Sequence, residues 1–182
     1  MQEKLKDNWK TLSLLVGILI ITGYLTYSYT TSRGIFSGLS DDLKMIDPDV
    51  ASPYTDINGE IIELVSFKGK PLIINSWASW IPFSQSELLL LSEVKKKKGE
   101  SVEILAINRM ESLSTMKAYL AFIGTPEGLV VIADQSDHFY KAVEGYAMPE
   151  TLFYNRDGIL VGHKRGVLSN DELQEYVELI LR

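Results

Sequence analysis

The chain has 182 residues, of which 46% are hydrophobic and 23% charged, and its formal net charge is -6. This length fits one ordinary domain with an appendage, and the composition is that of a globular protein. An acidic chain without clustered Lys and Arg is unsuited to a nucleic-acid surface, so we exclude that class. The chain has no cysteine and only two histidines, His138 and His163, which are not at metal-ligand spacing. We therefore predict no metal site and no cofactor.

The amino-terminal region predicts a membrane anchor. Thr11 to Tyr27 carries no charge over a length approaching the ~20 residues that cross a bilayer, and Trp9 and Tyr27 lie at its ends, where aromatic rings favour the headgroup zone. A cleaved signal peptide is the alternative, but it needs a shorter apolar core and a small-residue cleavage site, which the following residues lack. We predict an uncleaved transmembrane signal anchor over residues 11–29.

The charges around this segment predict its orientation. Residues 1–10 contain Lys4, Lys6 and Lys10, whereas only Arg33 follows the segment closely. The positive-inside rule places residues 1–10 in the cytoplasm of a single-pass protein of the cell membrane. Residues 30–54 are rich in Ser, Gly, Asp and Pro without periodicity, which predicts an extracytoplasmic linker. Residues 55–182 then form a domain in the periplasm or outside the cell.

The first half of this domain predicts alternating strands and a helix. Asn58-Gly59 favours a tight hairpin turn, and Glu60–Val65 is a short β-prone run after it. Leu72–Trp77 is a continuous apolar run, typical of a strand buried on both faces. Ser84–Lys97 is helical in composition and has an apolar face.

The second half continues the alternation and then changes to a hairpin and a helix. Strands that alternate with helices predict an α/β fold, here a mixed central sheet flanked by helices. The last helix is amphipathic and should be capped at Ser169 or Asn170. The predicted elements are a strand at Val102–Asn108, a helix at Ser112–Ile123, a strand at Leu129–Ala133, a short helix at Asp137–Val143, a hairpin of Thr151–Tyr154 and Ile159–Lys164, and a helix at Ser169–Leu181.

Asn75 to Glu87 reads N-S-W-A-S-W-I-P-F-S-Q-S-E. It resembles the active-site loop of membrane-anchored thioredoxin-like proteins of the TlpA/ResA (redoxin) type, which reads roughly N-F-W-A-x-W-C-x-P-C-x-x-E. The resemblance extends from Ser52 to Arg182 and implies a thioredoxin-like fold. Its other landmarks are Gly69-Lys70-Pro71, Met148-Pro149 and Asp157-Gly158.

Ile81 and Ser84 occupy the two thiol positions of this loop. Dithiol exchange requires an attacking thiolate, which neither side chain can supply, so we predict no catalytic residue. A serine nucleophile would need an oriented base, and no histidine lies in the segment. We predict instead that Ser84 caps the following helix in a capping box with Glu87. Because Asn75 stands where thioredoxins carry a buried carboxylate, the resemblance implies no general base beneath the loop.

Two further features of the resemblance concern binding. Trp77 and Trp80 are expected to pack in the core, with a hydrophobic rim for a partner as the alternative. Met148-Pro149 matches the cis-proline that faces the loop in the redox relatives, where this region pairs with a bound polypeptide. The implied protein-binding residues are Trp80, Ile81, Pro82, Phe83, Met148 and Pro149.

Three functions follow from these observations. The first is a redox-inactive binding or accessory module, tethered to the membrane, whose partner is a polypeptide or an envelope protein. The second is a thiol-disulfide oxidoreductase of the disulfide reductase or cytochrome-maturation type, which the missing thiols contradict. The third is a purely structural subunit of a membrane complex, for which the small residues Ser13 and Gly17 give a slight indication of helix pairing.

Overall fold

The computed structural model describes residues 18–23 and 53–182. The chain divides into two units, Met1–Gly38 and Leu39–Arg182. Residues 18–23 are helical and exposed, and most of the predicted anchor at 11–29 and linker at 30–54 lies outside the described residues. Ser13 and Gly17 lie outside them as well. Within the two described ranges, no helix combines the length and the apolar character needed to cross a bilayer.

A seven-stranded mixed sheet forms the centre of the second unit, in the order β2-β1-β5-β4-β3-β6-β7. The inner strands β3, β4 and β5 are parallel, while β1, β6 and β7 pair antiparallel with their neighbours. The predicted mixed sheet is confirmed. Its strands are β1 Tyr54–Asp56, β2 Ile61–Ile62, β3 Leu72–Trp77, β4 Glu103–Arg109, β5 Val130–Asp134, β6 Glu150–Tyr154 and β7 Leu160–Arg165.

Four α-helices accompany the sheet, as the flanking layers of the prediction require. They begin and end within a few residues of the predicted bounds. The helix that begins at Ser84 departs from its predicted apolar face, because its buried side includes Glu87 and Ser92 and Leu89 is exposed. Short 3-10 turns occupy Leu64–Phe67 and Gly99–Ser101. The helices are α1 Ser84–Lys98, α2 Leu113–Ile123, α3 His138–Ala142 and α4 Asn170–Ile180.

The amino-terminal edge of the domain differs from the prediction. The expected strand over Glu60–Val65 is reduced to Ile61–Ile62, and a 3-10 turn follows it. A further strand, Tyr54–Asp56, pairs with β5 through Thr55↔Ala133. It also pairs with β2 through Tyr54↔Ile62, in the hairpin that Asn58-Gly59 predicts, but three residues are too few for a periodic signal of their own.

The core has one layer on each face of the sheet. Alternate residues of β3 point to opposite faces, yet the whole strand is buried, as its continuous apolar run predicts. One layer includes Leu72, Ile74, Leu105, Ile107 and Leu152 together with Phe139 of α3. The other includes Trp77, Leu88, Ala106, Met116 and Leu120. The carboxyl end of β3, where the candidate loop begins, therefore rests on a packed interior.

The start of α4 confirms the predicted cap and places it at Ser169. The Ser169 Oγ accepts a hydrogen bond from the Glu172 amide at 3.3 Å. In return, a Glu172 carboxylate oxygen accepts from the Ser169 amide at 3.0 Å. This capping box satisfies two amides that a helix amino terminus leaves without intrahelical partners.

Candidate functional site

The loop that carries the two former thiol positions joins β3 to α1. Trp77, at the end of β3, is fully buried and stacks on Tyr119 with ring centroids 5.6 Å apart. Trp80 is 58% exposed and Phe83 is 51% exposed. Core packing is thus confirmed for Trp77 and wrong for Trp80. The physical reason is position, because Trp77 ends a buried strand whereas Trp80 lies in the loop beyond it.

The cis-proline segment lies at the same end of the sheet as this loop. The Met148–Pro149 peptide bond is cis. The antiparallel register Ser76↔Glu150 places these two residues beside the end of β3. Met148 is half-buried and Pro149 is buried. Five of the six predicted binding residues therefore have exposed or half-buried side chains. Pro149 is the exception, because its side chain is buried.

The predicted capping box at α1 is wrong. Phe83 occupies the cap position without a side-chain hydrogen bond, and Ser84 is already the first residue of the helix. Capping by a side chain needs a residue just before the helix with extended backbone, and Ser84 lies one position too late. Its buried Oγ instead accepts from the Ala78 amide at 3.4 Å. At the second thiol position, serine thus holds the loop together.

Glu87 points into the protein and not toward the helix terminus. It is 2% exposed, and one carboxylate oxygen accepts from Asn75 Nδ2 and Thr151 Oγ1, each at 2.8 Å. The other oxygen accepts from the Leu168 amide at 3.2 Å. Burial raises the pKa of Glu87, and these hydrogen bonds offset only part of that effect. A buried carboxylate therefore does lie behind this loop, on Glu87 and not at position 75, and it accepts hydrogen bonds that hold neighbouring segments.

A second carboxylate holds the first residues of the loop. Glu111 is 9% exposed. It accepts from the Ser79 amide at 2.8 Å, from the Ser79 hydroxyl, and from Asn108 Nδ2 at 2.6 Å. Sequence reasoning missed this residue, although β4 is the parallel neighbour of β3 and polar residues follow it. That adjacency at the carboxyl ends of two parallel strands is the signal that indicates it.

A third carboxylate follows the cis-proline directly. Glu150 is fully buried, and its Oε1 lies 2.5 Å from His163 Nε2 and 3.2 Å from Arg165 Nε. The register Glu150↔Arg165 puts the two side chains on the same face of the sheet. The sequence offered no motif for this cluster, because its members come together only through the pairing of β6 with β7.

The arrangement lacks the parts of a nucleophilic site. In the part of the chain that the structure describes, Ser84 Oγ makes its hydrogen bond to an amide and has no base oriented toward it. The site combines a loop on a helix amino terminus with an opposing cis-proline. Together with the mixed sheet and its helices, it defines a thioredoxin-like protein of the α/β class.

The chain belongs to the Redoxin family, whose model matches residues 44–180. It is 25% identical over 183 residues to the thiol-disulfide oxidoreductase ResA of Halalkalibacterium halodurans, covering 98% of this chain and 97% of that protein. It is 26% identical over 173 residues to ResA of Bacillus subtilis, covering 94% of each. These relatives cover nearly the full length of the chain.

Solved structures show the same fold. A secreted disulfide oxidoreductase of Mycobacterium tuberculosis, homologous to E. coli DsbE, matches with a TM-score of 0.63 and 22% identity, covering 73% of this chain and 98% of that one. StoA of Bacillus subtilis matches with a TM-score of 0.59 and 20% identity, covering 71% and 99%. At these identities the likeness establishes the thioredoxin-like architecture alone.

Proposed function

We propose that this chain is a redox-inactive member of the Redoxin family that binds a polypeptide through its former active-site face. The observation that carries the proposal is the loop itself. It retains exposed Trp80 and Phe83 beside a cis-proline, while Ile81 and Ser84 stand at the thiol positions of a chain without cysteine. We call the six predicted residues Trp80, Ile81, Pro82, Phe83, Met148 and Pro149 the loop face.

The loss of redox chemistry follows from what the reaction requires. Thiol-disulfide exchange needs an attacking thiolate and passes through a mixed disulfide. Ile81 has no ionisable group, and the Ser84 hydroxyl is buried and accepts from the Ala78 amide. Since the chain contains no cysteine, no thiol elsewhere in it can replace the missing pair.

The exposure of large apolar groups supports binding. Aromatic residues and Met are enriched at the centres of protein interfaces, where buried Trp side chains often dominate the affinity. The contacts of Glu111 with Ser79 and of Ser84 with Ala78 hold the backbone that presents these groups. A loop held in place before binding loses less entropy on association.

A photo-crosslinking experiment tests the face. A benzophenone side chain replaces Phe83 in the full chain within intact membranes, and Phe122, an exposed aromatic on α2, is replaced in a matched control. We expect one reproducible adduct from position 83 that Ile81→Asp abolishes, and no such adduct from position 122. Adducts that are equal at both positions, or indifferent to Ile81→Asp, would contradict binding at the loop face.

We further propose that residues 11–29 anchor the chain and that the domain lies on the extracytoplasmic side. The uncharged segment and the three lysines before it support this orientation. Because the natural chain has no cysteine, single introduced thiols report sidedness cleanly. A membrane-impermeant maleimide should label Lys97→Cys in intact cells and should label Gln2→Cys only after lysis. The reverse pattern contradicts the orientation.

An oxidoreductase is the second candidate, because the two ResA relatives are thiol-disulfide oxidoreductases by name. The test is reduction of insulin disulfides by the full chain in detergent micelles with dithiothreitol as reductant. We expect the rate of the reductant alone, since no thiolate is available. A rate clearly above that background would refute the redox-inactive function.

A further inference from the structure

Arg165 is a cation without a hydrogen-bond acceptor at the border of the loop face. It ends β7, and its side chain is 25% exposed. Its Nε lies 3.2 Å from Glu150 Oε1, but the angle does not make a hydrogen bond and the nitrogen is buried. Across residues 18–23 and 53–182, no acceptor is hydrogen-bonded to any N–H of this guanidinium. The two terminal nitrogens are not among the buried unpaired atoms, so they keep surface that a ligand can reach, whereas the buried Nε is left without an acceptor.

Glu150 pairs with this cation by charge but accepts none of its hydrogen bonds. Its Oε1 already accepts from His163 at 2.5 Å when the imidazole Nε2 carries the proton. Its Oε2 is buried and has no hydrogen-bond partner among the described residues. The carboxylate thus lowers the cost of holding a positive charge at this position but leaves the donors of Arg165 unsatisfied.

Tyr146 and Pro149 determine where those donors lie. The Arg165 Cζ lies 4.7 Å from the centroid of the Tyr146 ring, and Tyr146 is 76% exposed. This cation–π contact covers one flat side of the guanidinium. The next residue, Gly166, donates its amide to the Pro149 carbonyl at 2.9 Å. Arg165 is therefore fixed beside the cis-proline.

We propose that Arg165 binds a carboxylate of the polypeptide that occupies the loop face, an inference that rests on the proposed binding function. The guanidinium fork matches a carboxylate in shape and charge, and such a pair forms two parallel hydrogen bonds. A partner without an anion would bury these donors unpaired at an energetic cost. The partner is thus an apolar segment next to an acidic side chain or a carboxyl terminus.

Small carboxylates test this assignment without knowledge of the partner. The full chain in zwitterionic micelles is titrated with N-acetylalanine, with N-acetylglutamic acid α-amide, and with uncharged N-acetylalaninamide, while NMR follows the Arg165 Nε–H and the Tyr146 and Gly166 amides. We expect saturable shifts for the two acids with millimolar dissociation constants, roughly tenfold below that of the amide. Whichever acid binds with the lower dissociation constant shows whether the site prefers a terminal or a side-chain carboxylate.

Variants locate the binding. Arg165→Gln should abolish the saturable shifts and Arg165→Lys should weaken binding severalfold, because an ammonium keeps the charge but loses the fork. Arg156→Gln is the matched control, since Arg156 is an exposed arginine at the opposite end of the same hairpin. Unchanged amide resonances elsewhere in the domain show that each variant is folded.

Three outcomes would overturn the assignment: no saturation by either acid up to about 50 mM, equal binding of the neutral amide, or unchanged binding by the folded Arg165 variants. None of these outcomes would contradict binding at the loop face, because crosslinking from position 83 tests that binding separately.

Discussion

At the scale of single residues, surroundings determine what a carboxylate does. Glu87, Glu111 and Glu150 are all buried, and each meets a different set of donors. Burial raises the pKa of Glu87, because its effect outweighs that of the three hydrogen bonds. Glu172 shows the opposite balance at the start of α4. We therefore expect Glu87 and Glu172 to affect the free energy of unfolding in different ways.

Removing the Glu87 carboxylate should destabilise the domain strongly. Glu87→Ala removes the acceptor of the Thr151 hydroxyl and of the Leu168 amide and one acceptor of Asn75 Nδ2, which still donates to Thr151 Oγ1 at 2.9 Å. At roughly 1–3 kcal/mol for each such group, we expect the free energy of unfolding to fall by about 3 kcal/mol. Urea denaturation followed by Trp fluorescence measures this. Gln85→Ala, an exposed neighbour on α1, should change little, and an equal effect of both variants would contradict the burial argument.

The raised pKa of Glu87 has a defined sign in pH-dependent stability. A carboxyl group with a folded pKa above its unfolded value near 4.5 binds its proton more tightly in the folded state. Its contribution is full below pH 4.5 and is lost as pH rises through the folded pKa. The unfolding free energy of the natural chain, relative to that of Glu87→Gln, should therefore decrease over this range. An increase would show that the pKa is lowered.

Glu172 should act in the opposite direction. Burial alone would raise its pKa, but hydrogen bonds from Lys164 and Ser169 more than offset this and lower it to about 2. Its stabilising contribution is therefore present above the unfolded value near 4.5 and is lost as pH falls toward about 2. We expect the stability difference between the natural chain and Glu172→Gln to shrink on acidification. Glu178→Gln, on the exposed side of α4, serves as control.

At the scale of elements, the loop depends on the strand beside its own. Glu111 follows β4, and its two oxygens hold Ser79 at the start of the loop. The parallel pairing of β3 with β4, through Trp77↔Asn108, brings these positions together. The conformation of the loop face is thus maintained from the neighbouring strand, without a disulfide.

Releasing this contact should mobilise the loop. Glu111→Ala removes the acceptor of the Ser79 amide and leaves Asn108 Nδ2 unpaired. We expect hydrogen exchange of the Ser79 amide to accelerate roughly tenfold or more, as the loss of about 1.4 kcal/mol of local protection implies. Exchange within β6 should stay unchanged. In Glu127→Ala, an exposed control, the Ser79 rate should match that of the natural chain.

At the scale of the whole molecule, the fold of a thiol-disulfide oxidoreductase is present without its sulfurs. The sheet order, the cis-proline and the helix that begins at Ser84 are in place. If the scaffold still supports exchange, the chemistry depends on two side chains alone. A helix amino terminus lowers the pKa of a thiol placed there.

Restoring both thiols should therefore restore exchange. The double variant Ile81→Cys with Ser84→Cys is expected to form a reversible disulfide and to reduce insulin above background. Each single variant lacks the resolving thiol and should not turn over. Thiol titration and the insulin assay measure this. A folded double variant that forms no disulfide would show that the loop has lost the geometry as well as the sulfurs.

Local sequence patterns predicted most elements of the fold. The apolar run of β3, the periodicity of α4 and the cap at Ser169 are confirmed because each depends on residues close together in the chain. The strand Tyr54–Asp56 escaped prediction, since it has only three residues and its place in the sheet depends on pairing with β5, 76 to 78 residues away.

The sequence by itself determined that no thiol exists and that Ile81 and Ser84 stand in place of a reactive pair. Only the tertiary structure decided that Glu87 contacts Thr151 and Leu168, 64 and 81 residues distant, and does not cap α1. It also decided that Arg165 lies beside Glu150 with an unpaired Nε. Residue identity defines which chemistry is possible, whereas burial and partners arise from contacts between distant segments, which no local pattern encodes.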